Sequence, residues 1–221
     1  MGFKVIFDID SLVYQACYGA EDLEEAVEGF FGRYDSALFH LGMKVKVGQV
    51  IPCGFCRNNY RHRIALDYKG NRVSDKPPFF DELVAEIKDQ INVQTRDGIE
   101  TDDLVAKFRE HYGPENVIIA SIDKDYRQFE GMLYNYHKDE IEKIGAYEAY
   151  YNFMEQMVCG DRADNVKPLR GYGPKWCEKN LLGKSEWAIL RAVYSLYKAK
   201  YHSKAKEVYI RTYYLLKLNA I

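Results

Sequence analysis

Carboxylates that directly follow apolar runs are the residues of this sequence with the clearest capacity for chemistry. Val5-Ile6-Phe7 ends in Asp8 and Asp10, and a helix-like pattern follows. This stretch predicts the first strand of a parallel sheet, with acid at its carboxyl end, where open α/β sheets bind ligands. Three later stretches repeat the feature. The acidic residues of the four stretches are Asp8, Asp10, Glu100, Asp102, Asp103, Asp123, Asp125, Asp161 and Asp164.

Carboxylates in this number predict a site for divalent cations, because acids that converge repel one another unless cations compensate them. Mg²⁺ prefers oxygen ligands, and one or two carboxylates usually hold each ion. The acidic set therefore suits two Mg²⁺ ions, some held through water, with Mn²⁺ as a substitute. Two ions about 4 Å apart activate a water and stabilise the leaving oxygen of a phosphodiester. Any single acidic pair also fits a cap or turn, so the prediction depends on the joint pattern.

Residues 57–76 form a basic stretch in which tyrosines are interleaved. Its cations are Arg57, Arg61, Arg63, Lys69, Arg72 and Lys76, and its tyrosines are Tyr60 and Tyr68. Cations beside aromatic rings suit a phosphate together with a base face. Gly70-Asn71 predicts a turn that presents Lys69 and Arg72. The alternative is a solvated loop with two packing tyrosines.

Charge is distributed unevenly along the 221 residues. Residues 167–217 hold 12 basic and 3 acidic side chains, a balance of +9, whereas residues 1–166 hold 19 basic and 30 acidic ones, a balance of −11. This asymmetry indicates an acidic centre beside a basic contact surface. A solvated pair of basic helices is the alternative.

Composition argues against several classes of protein. No apolar run approaches the ~20 residues that span a bilayer, and Asp8 interrupts the first apolar run, so neither a membrane span nor a signal segment is expected. Five irregularly spaced cysteines do not form a disulfide framework. Cys53-Gly-Phe-Cys56 has a zinc-like spacing but lacks a second pair, which favours two buried thiols. We expect a soluble cytoplasmic chain, monomeric, with one large domain or a domain with a small appendage.

Hydrophobic periodicity predicts an α/β fold that positions these residues. After the first strand, one helix is predicted over 12–41, with Gly42 as its terminator, and the strand at 117–122 delivers Asp123 at its carboxyl end. A short strand is predicted to begin at Val93. The remaining predicted strands are 46–52, 133–136 and 140–144, and the remaining predicted helices are 79–91, 100–112, 147–158, 176–182, 185–199 and 202–218.

As a set, these motifs resemble the 5′-nuclease family, the flap-endonuclease-like branch of the PIN-like nucleases. The likeness is greatest to stand-alone 5′→3′ exonucleases of tailed phages. The motifs occur in family order, and the stretch after residue 182 carries none. The matching pieces are Phe7-Asp-Ile-Asp-Ser-Leu-Val-Tyr-Gln-Ala16, Tyr68-Lys-Gly-Asn-Arg72, Glu100-Thr-Asp-Asp103, Ser121-Ile-Asp-Lys-Asp125 and Gly160-Asp-Arg-Ala-Asp-Asn165 with Gly171-Tyr-Gly173.

The resemblance implies a PIN-like parallel-sheet nuclease core over 1–160, with a reduced arch at 57–78. It implies a helix–three-turn–helix element at about 161–182, followed by C-terminal helices. That element would grip duplex DNA through Gly171, Gly173 and Lys175, with a potassium ion bridging turn and phosphate. The host cytoplasm is the expected compartment for a phage protein.

The resemblance also implies roles for single residues. Lys69 and Arg72 would contact the scissile phosphate and stabilise developing charge. Tyr68 would stack on the terminal base, and Arg61 would contact a phosphate. The acids named above would be metal ligands, direct or through water.

Two departures from the family pattern shape the expected activity. The family commonly has a carboxylate after the second core strand, whereas residues 51–56 contain none, and Asp10 is the residue that would compensate. Only 27 residues separate Arg72 from Glu100, which leaves little for an arch that threads single strands. We therefore expect exonucleolytic trimming of 5′ ends on duplex DNA, including RNA in RNA–DNA hybrids, over strict flap threading.

Two other functions compete with this one. A haloacid-dehalogenase-type phosphatase would use Asp8 as nucleophile and Asp10 as acid/base, but leaves the Tyr68–Arg72 and Glu100–Asp103 motifs unexplained. A DNA-structure-binding protein without catalysis is suggested by the missing carboxylate. Hydrolysis of a small phosphomonoester instead of DNA would distinguish the phosphatase from the nuclease. Binding of DNA without cleavage in any metal would distinguish the DNA-structure-binding protein.

Overall fold

The computed structural model describes residues 2–72 and 76–219. The chain forms two compact units. The first, called the sheet unit below, comprises Met1–Asn59, Ser74–Tyr126 and Gly131–Lys143. The second, called the helical unit, comprises Tyr60–Val73, Arg127–Glu130 and Ile144–Ile221. Residues 60–73 of the basic stretch and the helix before residue 160, which we assigned to the nuclease core, therefore group with the C-terminal helices.

The sheet unit is built around five strands, and the α/β class predicted from the sequence is confirmed. Their order in the sheet is β2-β1-β3-β4-β5. The strands are β1 (Phe3–Asp8), β2 (Val47–Cys53), β3 (Val117–Ala120), β4 (Gly131–Asn135) and β5 (Glu140–Ile144). β1 pairs in parallel with both β2 and β3, and β3 pairs in parallel with β4. The central strands thus end at one edge, with Asp8 opposite Cys53.

The predicted helix over 12–41 is wrong, because two helices occupy this stretch: α1 (Asp10–Cys17) and α2 (Leu23–Lys44). The apolar period runs through the break, but Gly19 adopts a positive φ of 92°. The Asp22 side chain then accepts a hydrogen bond of 2.8 Å from the Glu25 N–H, which starts a new helix. Gly42 lies inside α2 and does not terminate it.

The remaining elements of the sheet unit follow the predictions closely. α4 (Phe80–Gln90) and α5 (Thr101–Tyr112) match two predicted helices. β3 stops at Ala120, two residues before the predicted end, so Ser121 and Asp123 lie in the turn that follows. At the predicted strand near Val93, the structure has an isolated bridge between Gln94 and Cys53.

The helical unit contains the short α3 (Arg61–Ile64), α6 (Ala146–Cys159), α7 (Pro174–Leu181), α8 (Glu186–Tyr201) and α9 (Ala205–Leu216). Their apolar faces share one core, with Met154, Val158, Leu181 and Val193 among its fully or almost fully buried members. Part of the predicted arch, residues 73–75, lies outside the described residues. The nuclease and DNA-binding roles given to the two parts of the chain stay predictions.

No helix among the described residues combines the length and apolar character needed to cross a bilayer. None of the five cysteines, all of which lie within the described residues, forms a disulfide. Cys53, the last residue of β2, is buried, and Cys56 is partly buried. The prediction of two buried thiols therefore holds for Cys53 and holds in part for Cys56.

Candidate metal centre and basic loop

Among the acidic residues of the sheet unit, Asp8 is in contact with several polar groups and is influenced by the charges of other acids. It closes β1 and is only 4% exposed. Its Oδ1 accepts the Asp10 N–H at 3.2 Å, and its Oδ2 accepts the Ser121 hydroxyl at 3.1 Å. Ser121 follows β3 directly, so the parallel strands β1 and β3 bring these groups to the same sheet edge.

Tyr126 connects Asp8 to the helix α5. Its hydroxyl lies 3.1 Å from Asp8 Oδ2 and 3.1 Å from Asp102 Oδ1, and the side chain is 1% exposed. One hydroxyl carries one proton, so it donates to only one of these two carboxylates at a time. Sequence reasoning missed Tyr126, although it follows Asp125 directly in a short 3₁₀ turn.

The electrostatics of this cluster favour a cation. Burial, followed by the charges of Asp10 and Asp123, raises the pKa of Asp8 to about 7. Asp8, Asp10, Asp102 and Asp123 are called the acidic cluster below. Their donor atoms are carboxylate oxygens, which are the ligands of Mg²⁺. A divalent cation would relieve the repulsion that contributes to the raised pKa of Asp8, so the donor type of these residues fits the predicted metal.

Asp10 extends the acidic cluster toward the end of β2. Its Oδ1 accepts the Phe55 N–H at 2.9 Å, and its Oδ2 accepts the Thr101 hydroxyl at 2.6 Å. A side chain at Gly54 would stand 3.0 Å from Asp10 Oδ1 and 2.8 Å from the Ile9 side chain. Asp10 therefore occupies the region where the sequence lacks a carboxylate after the second core strand.

Glu100 and Asp103 form the start of α5. The Glu100 side chain accepts the backbone N–H of Asp103, and Asp103 Oδ2 accepts the Glu100 N–H at 3.2 Å, which is a capping box. Asp103 is 1% exposed. Asp125 donates its backbone N–H to Asp123 Oδ1 at 2.8 Å. Metal contacts by these three acids stay predictions.

The predicted ligands Asp161 and Asp164 lie in the helical unit, in a turn that follows α6. Gly160 begins this turn with a φ of 65°, and a side chain there would collide with the Val166 carbonyl. Asp161 Oδ1 accepts the N–H groups of Ala163 and Asp164 at 2.7 and 3.2 Å. Their convergence with the acidic cluster stays a prediction.

Asp164 holds the basic loop (residues 67–72). Its Oδ2 accepts the Tyr68 hydroxyl at 2.5 Å, and its Oδ1 accepts from Arg72 Nη2 at 2.9 Å. Lys69 Nζ lies 3.6 Å from the same oxygen, and the Lys69 N–H donates to the Asp164 carbonyl at 3.0 Å. Lys69 has a φ of 56°, an uncommon conformation that marks a constrained backbone.

Two predicted DNA contacts need correction. Arg61 is completely buried, and its Nε and Nη2 donate to the carbonyl oxygens of Leu215 and Lys217 at 3.0 Å each. It caps the end of α9 and has no exposed charge to offer a phosphate. Tyr68 is 2% exposed, so its ring packs in the unit instead of presenting a face for base stacking.

The other predicted DNA contacts precede or open α7. Gly171 has a φ of 88°, Gly173 is the N-cap residue, and Pro174 occupies the first turn. Lys175 is exposed one residue further on. This stretch presents backbone N–H groups at a helix start, and its contact with DNA stays a prediction.

No known family model matches the chain. Among solved structures, the chain is similar to the bacteriophage T5 flap endonuclease in a complex with DNA and metal ions, with a TM-score of 0.64 and 13% identity over 98% of this chain and 89% of that one. The T5 5′-exonuclease with bound zinc matches with a TM-score of 0.59 and 16% identity over 98% and 99%. The catalytic core of Rad2 with DNA substrate matches with a TM-score of 0.55 and 15% identity over 96% and 73%. The resemblance to the 5′-nucleases is thus confirmed as a match in fold.

Proposed function

We propose that this chain, whose fold is that of solved 5′ nucleases, is a metal-dependent 5′→3′ exodeoxyribonuclease. It hydrolyses phosphodiesters from the 5′ ends of duplex DNA, and also RNA in RNA–DNA hybrids and 5′ flaps. The proposed setting is the replication or recombination of phage DNA, and the proposed active form is a monomer.

The observation that carries this proposal is the acidic cluster at the carboxyl edge of a parallel sheet. Asp8 of β1 and Asp102 of α5 contact the buried Tyr126 hydroxyl. The charges of Asp10 in α1 and of Asp123 in the turn after β3 raise the pKa of Asp8. Strands that end together at one edge bring acids of distant sequence position into one place. A stability role does not explain them, because burial and like charge make the ionised form of Asp8 costly.

The acidic cluster would hold Mg²⁺, or Mn²⁺ in its place, with Glu100, Asp103 and Asp125 contributing directly or through water. Two bound ions would supply an activated water and charge stabilisation at the leaving oxygen. The chain's own contribution is orientation: Ser121, Thr101 and the Phe55 N–H fix carboxylate oxygens of Asp8 and Asp10.

Lys69 and Arg72 are proposed to contact the scissile phosphate and stabilise the charge that develops on it. Their support is the shared carboxylate of Asp164, which holds both cations near one point. The contacts of Asp164 favour an anchoring role for this acid, whereas Asp161 and Asp164 as metal ligands remain a prediction of the family resemblance.

The proposed DNA grip is α6, the turn over 160–173 and α7, acting as a helix–three-turn–helix. Gly171, Gly173 and Lys175 would contact the phosphate backbone, and turn carbonyls would hold a K⁺ ion against a phosphate. The cationic residues of α8 and α9 extend the same basic region of sequence. A phosphate grip of this kind predicts tighter duplex binding in KCl than in NaCl of equal concentration.

The packing of α4 favours trimming of 5′ ends over threading of a flap. Leu83, Val84 and Ile87 of α4 are buried in the core of the sheet unit. Within the described residues 76–99, α4 is therefore committed to that core, which leaves little chain for an arch.

The experiment that tests the function is digestion of a duplex labelled at one 5′ end, in Mg²⁺, in Mn²⁺ and in EDTA. We expect short labelled products in either metal and none in EDTA. Lys69→Ala and Asp123→Asn should lower the rate by orders of magnitude. Asp89→Asn, an exposed acid of α4, is the matched control and should cleave like the parent chain.

Other outcomes would replace the proposal. Duplex binding without cleavage in either metal would indicate a DNA-structure-binding protein. Neither binding nor cleavage, together with hydrolysis of a small phosphomonoester, would indicate a phosphatase that uses Asp8 as nucleophile. Unchanged cleavage in both variants would remove the site assignment while leaving nuclease activity in place.

A further inference from the structure

Three side chains of metal-ligand type that the proposed cleavage step does not use lie close together in the helical unit. Glu155 and Cys159 are four residues apart on α6, so they face the same way. Cys177 of α7 meets them, and one ligand atom from each of the three side chains lies within 4.8 Å of the others. Cys177 is fully buried, and the other two are partly buried.

We propose that Glu155, Cys159 and Cys177 bind one thiophilic divalent ion, with Zn²⁺ as the ion that they fit. Tetrahedral Zn²⁺ has sulfur ligands at about 2.3 Å and oxygen ligands at about 2.0–2.2 Å, which places its ligand atoms roughly 3.5–3.8 Å apart. The observed spread needs only a small contraction. A water would complete the fourth position.

The chemistry of the donors selects the class of ion. Two sulfurs and one carboxylate oxygen suit Zn²⁺ and exclude Mg²⁺ and Ca²⁺, which take oxygen ligands. Binding replaces the two thiol protons by the metal and releases them, so affinity rises with pH. Burial, followed by the like charge of Glu178, raises the pKa of Glu155, and a bound cation would offset the second of these causes.

The contrast with Cys53 and Cys56 sharpens the inference. Those residues have the sequence spacing of a zinc site, but Cys53 is buried beside Asp8 and Asp10, whose charges add to burial in raising its pKa. Among the described residues, three His, Cys, Asp or Glu side chains have ligand atoms within 4.8 Å of one another in one place. These side chains are Glu155, Cys159 and Cys177 of the helical unit. The fold, and not the spacing, therefore makes the site.

The ion would join α6 to α7 across the turn over 160–173. Both helices already contact each other through the core that contains Val158, Cys177 and Leu181. A bound metal would fix their separation and so stabilise the helical unit, because a ligand that binds only the folded state raises its stability. It would act on the scaffold of the proposed DNA grip and not on the cleavage step.

Cobalt substitution tests the site in the full-length, reduced and chelator-stripped protein. Co²⁺ bound by thiolates gives a near-ultraviolet charge-transfer band and strong visible bands of tetrahedral cobalt, which carboxylate-bound cobalt lacks. We expect these bands to saturate at one equivalent of thiolate-bound ion and to vanish on addition of Zn²⁺. Zn²⁺ should also raise the melting temperature of the protein.

Variants assign the bands to residues. Cys159→Ser and Cys177→Ser should abolish the charge-transfer band, and Glu155→Gln should weaken Co²⁺ binding by about tenfold or more while keeping it. Cys53→Ser is the matched control and should leave the band unchanged. Because Cys177 is buried, Cys159→Ser and Glu155→Gln carry the test if Cys177→Ser does not fold, as judged by circular dichroism.

Three results would overturn the proposal. One is the absence of a thiolate band at saturating Co²⁺. Another is a band that survives Cys159→Ser but is lost in Cys53→Ser. The third is a disulfide between Cys159 and Cys177, detected by peptide mapping of the metal-free protein before reduction.

Discussion

The acidic cluster of the sheet unit and the Asp161–Asp164 turn of the helical unit use the same residue type in opposite ways. In the acidic cluster, the neighbouring charges that act on Asp8 are the like charges of Asp10 and Asp123. In the turn, Asp164 is surrounded by the Tyr68 hydroxyl and by the cations of Lys69 and Arg72. One group of acids calls for an external cation, and the other already has cations from the chain.

This difference separates two tasks that a list of acidic motifs treats alike. Acids that repel one another in a buried place are held there at a cost, and a bound divalent ion removes that cost. Acids that are paired locally shape a loop and orient its cations. The first set is therefore the proposed metal site, and Asp164 positions the two residues that are proposed to contact the phosphate.

The largest effect is expected from Asp123→Asn in the acidic cluster. Removing a carboxylate that acts on Asp8 should lower the cleavage rate at least about a thousandfold, because charge stabilisation by the bound ions is the main source of rate. Single-turnover cleavage in Mg²⁺ measures this. Loss of less than tenfold, with Asp89→Asn unchanged, would break the assignment of the cluster to metal binding.

Asp164→Asn should lower cleavage about tenfold to a hundredfold, since Lys69 and Arg72 lose the carboxylate that holds them. The Mg²⁺ concentration for half-maximal rate should stay unchanged. Asp67→Asn is the control, because Asp67 is an exposed acid of the same loop, 3.6 Å from Arg211. A strongly raised Mg²⁺ requirement would instead support the predicted role of Asp164 as a ligand.

Tyr126→Phe should raise the Mg²⁺ concentration for half-maximal rate about tenfold, because Asp8 and Asp102 lose the hydroxyl that orients them. The rate at saturating Mg²⁺ should fall less. Tyr134→Phe is the matched control, since its buried ring carries a hydroxyl 2.9 Å from Asp139, an acid outside the cluster. Equal behaviour of the two variants would mean that Tyr126 only packs.

The smallest effect concerns stability. Because the pKa of Asp8 rises from 3.8 to about 7 on folding, the folded state binds a proton that the unfolded state releases between these values. Stability therefore falls as pH rises through this window. Asp8→Asn should be neutral below about pH 4 and should stabilise the metal-free protein on the order of 2–4 kcal/mol above pH 7.

Thermal melts in chelator at pH 4 and pH 8 measure this difference. The advantage of Asp8→Asn at pH 8 should disappear on addition of Mg²⁺, which only the parent chain binds fully. An Asp8→Asn protein less stable than the parent at pH 8 in chelator would show that the Asp8 carboxylate is paired and not strained.

The sequence predicted the fold where apolar runs are short and end in acid. β1 and β3 were recognised because their runs are bounded and their carboxylates follow at once. The break between α1 and α2 was missed because the apolar period continues through it. The helix breaks because Gly19 has a positive φ and Asp22 caps the start of α2, and hydrophobic periodicity carries no information about either feature.

Part of the site was predictable for the same topological reason. Parallel strands bring Asp8 and the Asp123 turn to one edge, so strand assignment alone predicts their proximity. Tyr126 was not predictable, because a tyrosine after an acidic turn is more often a packing residue. The contact of Asp164 with Tyr68 was not predictable, because nothing in the spacing of Asp164 reveals the Tyr68 hydroxyl on its second oxygen.

Arg61 has a consequence for the order in which the protein matures during synthesis. Its two carbonyl acceptors stand 154 and 156 residues further along the chain. A nascent chain therefore makes all acids of the acidic cluster long before α3 and the basic loop gain their support. The guanidinium reaches its burial site only after residues 215–217 have left the ribosome, so the phosphate-contacting half of the proposed enzyme is completed last.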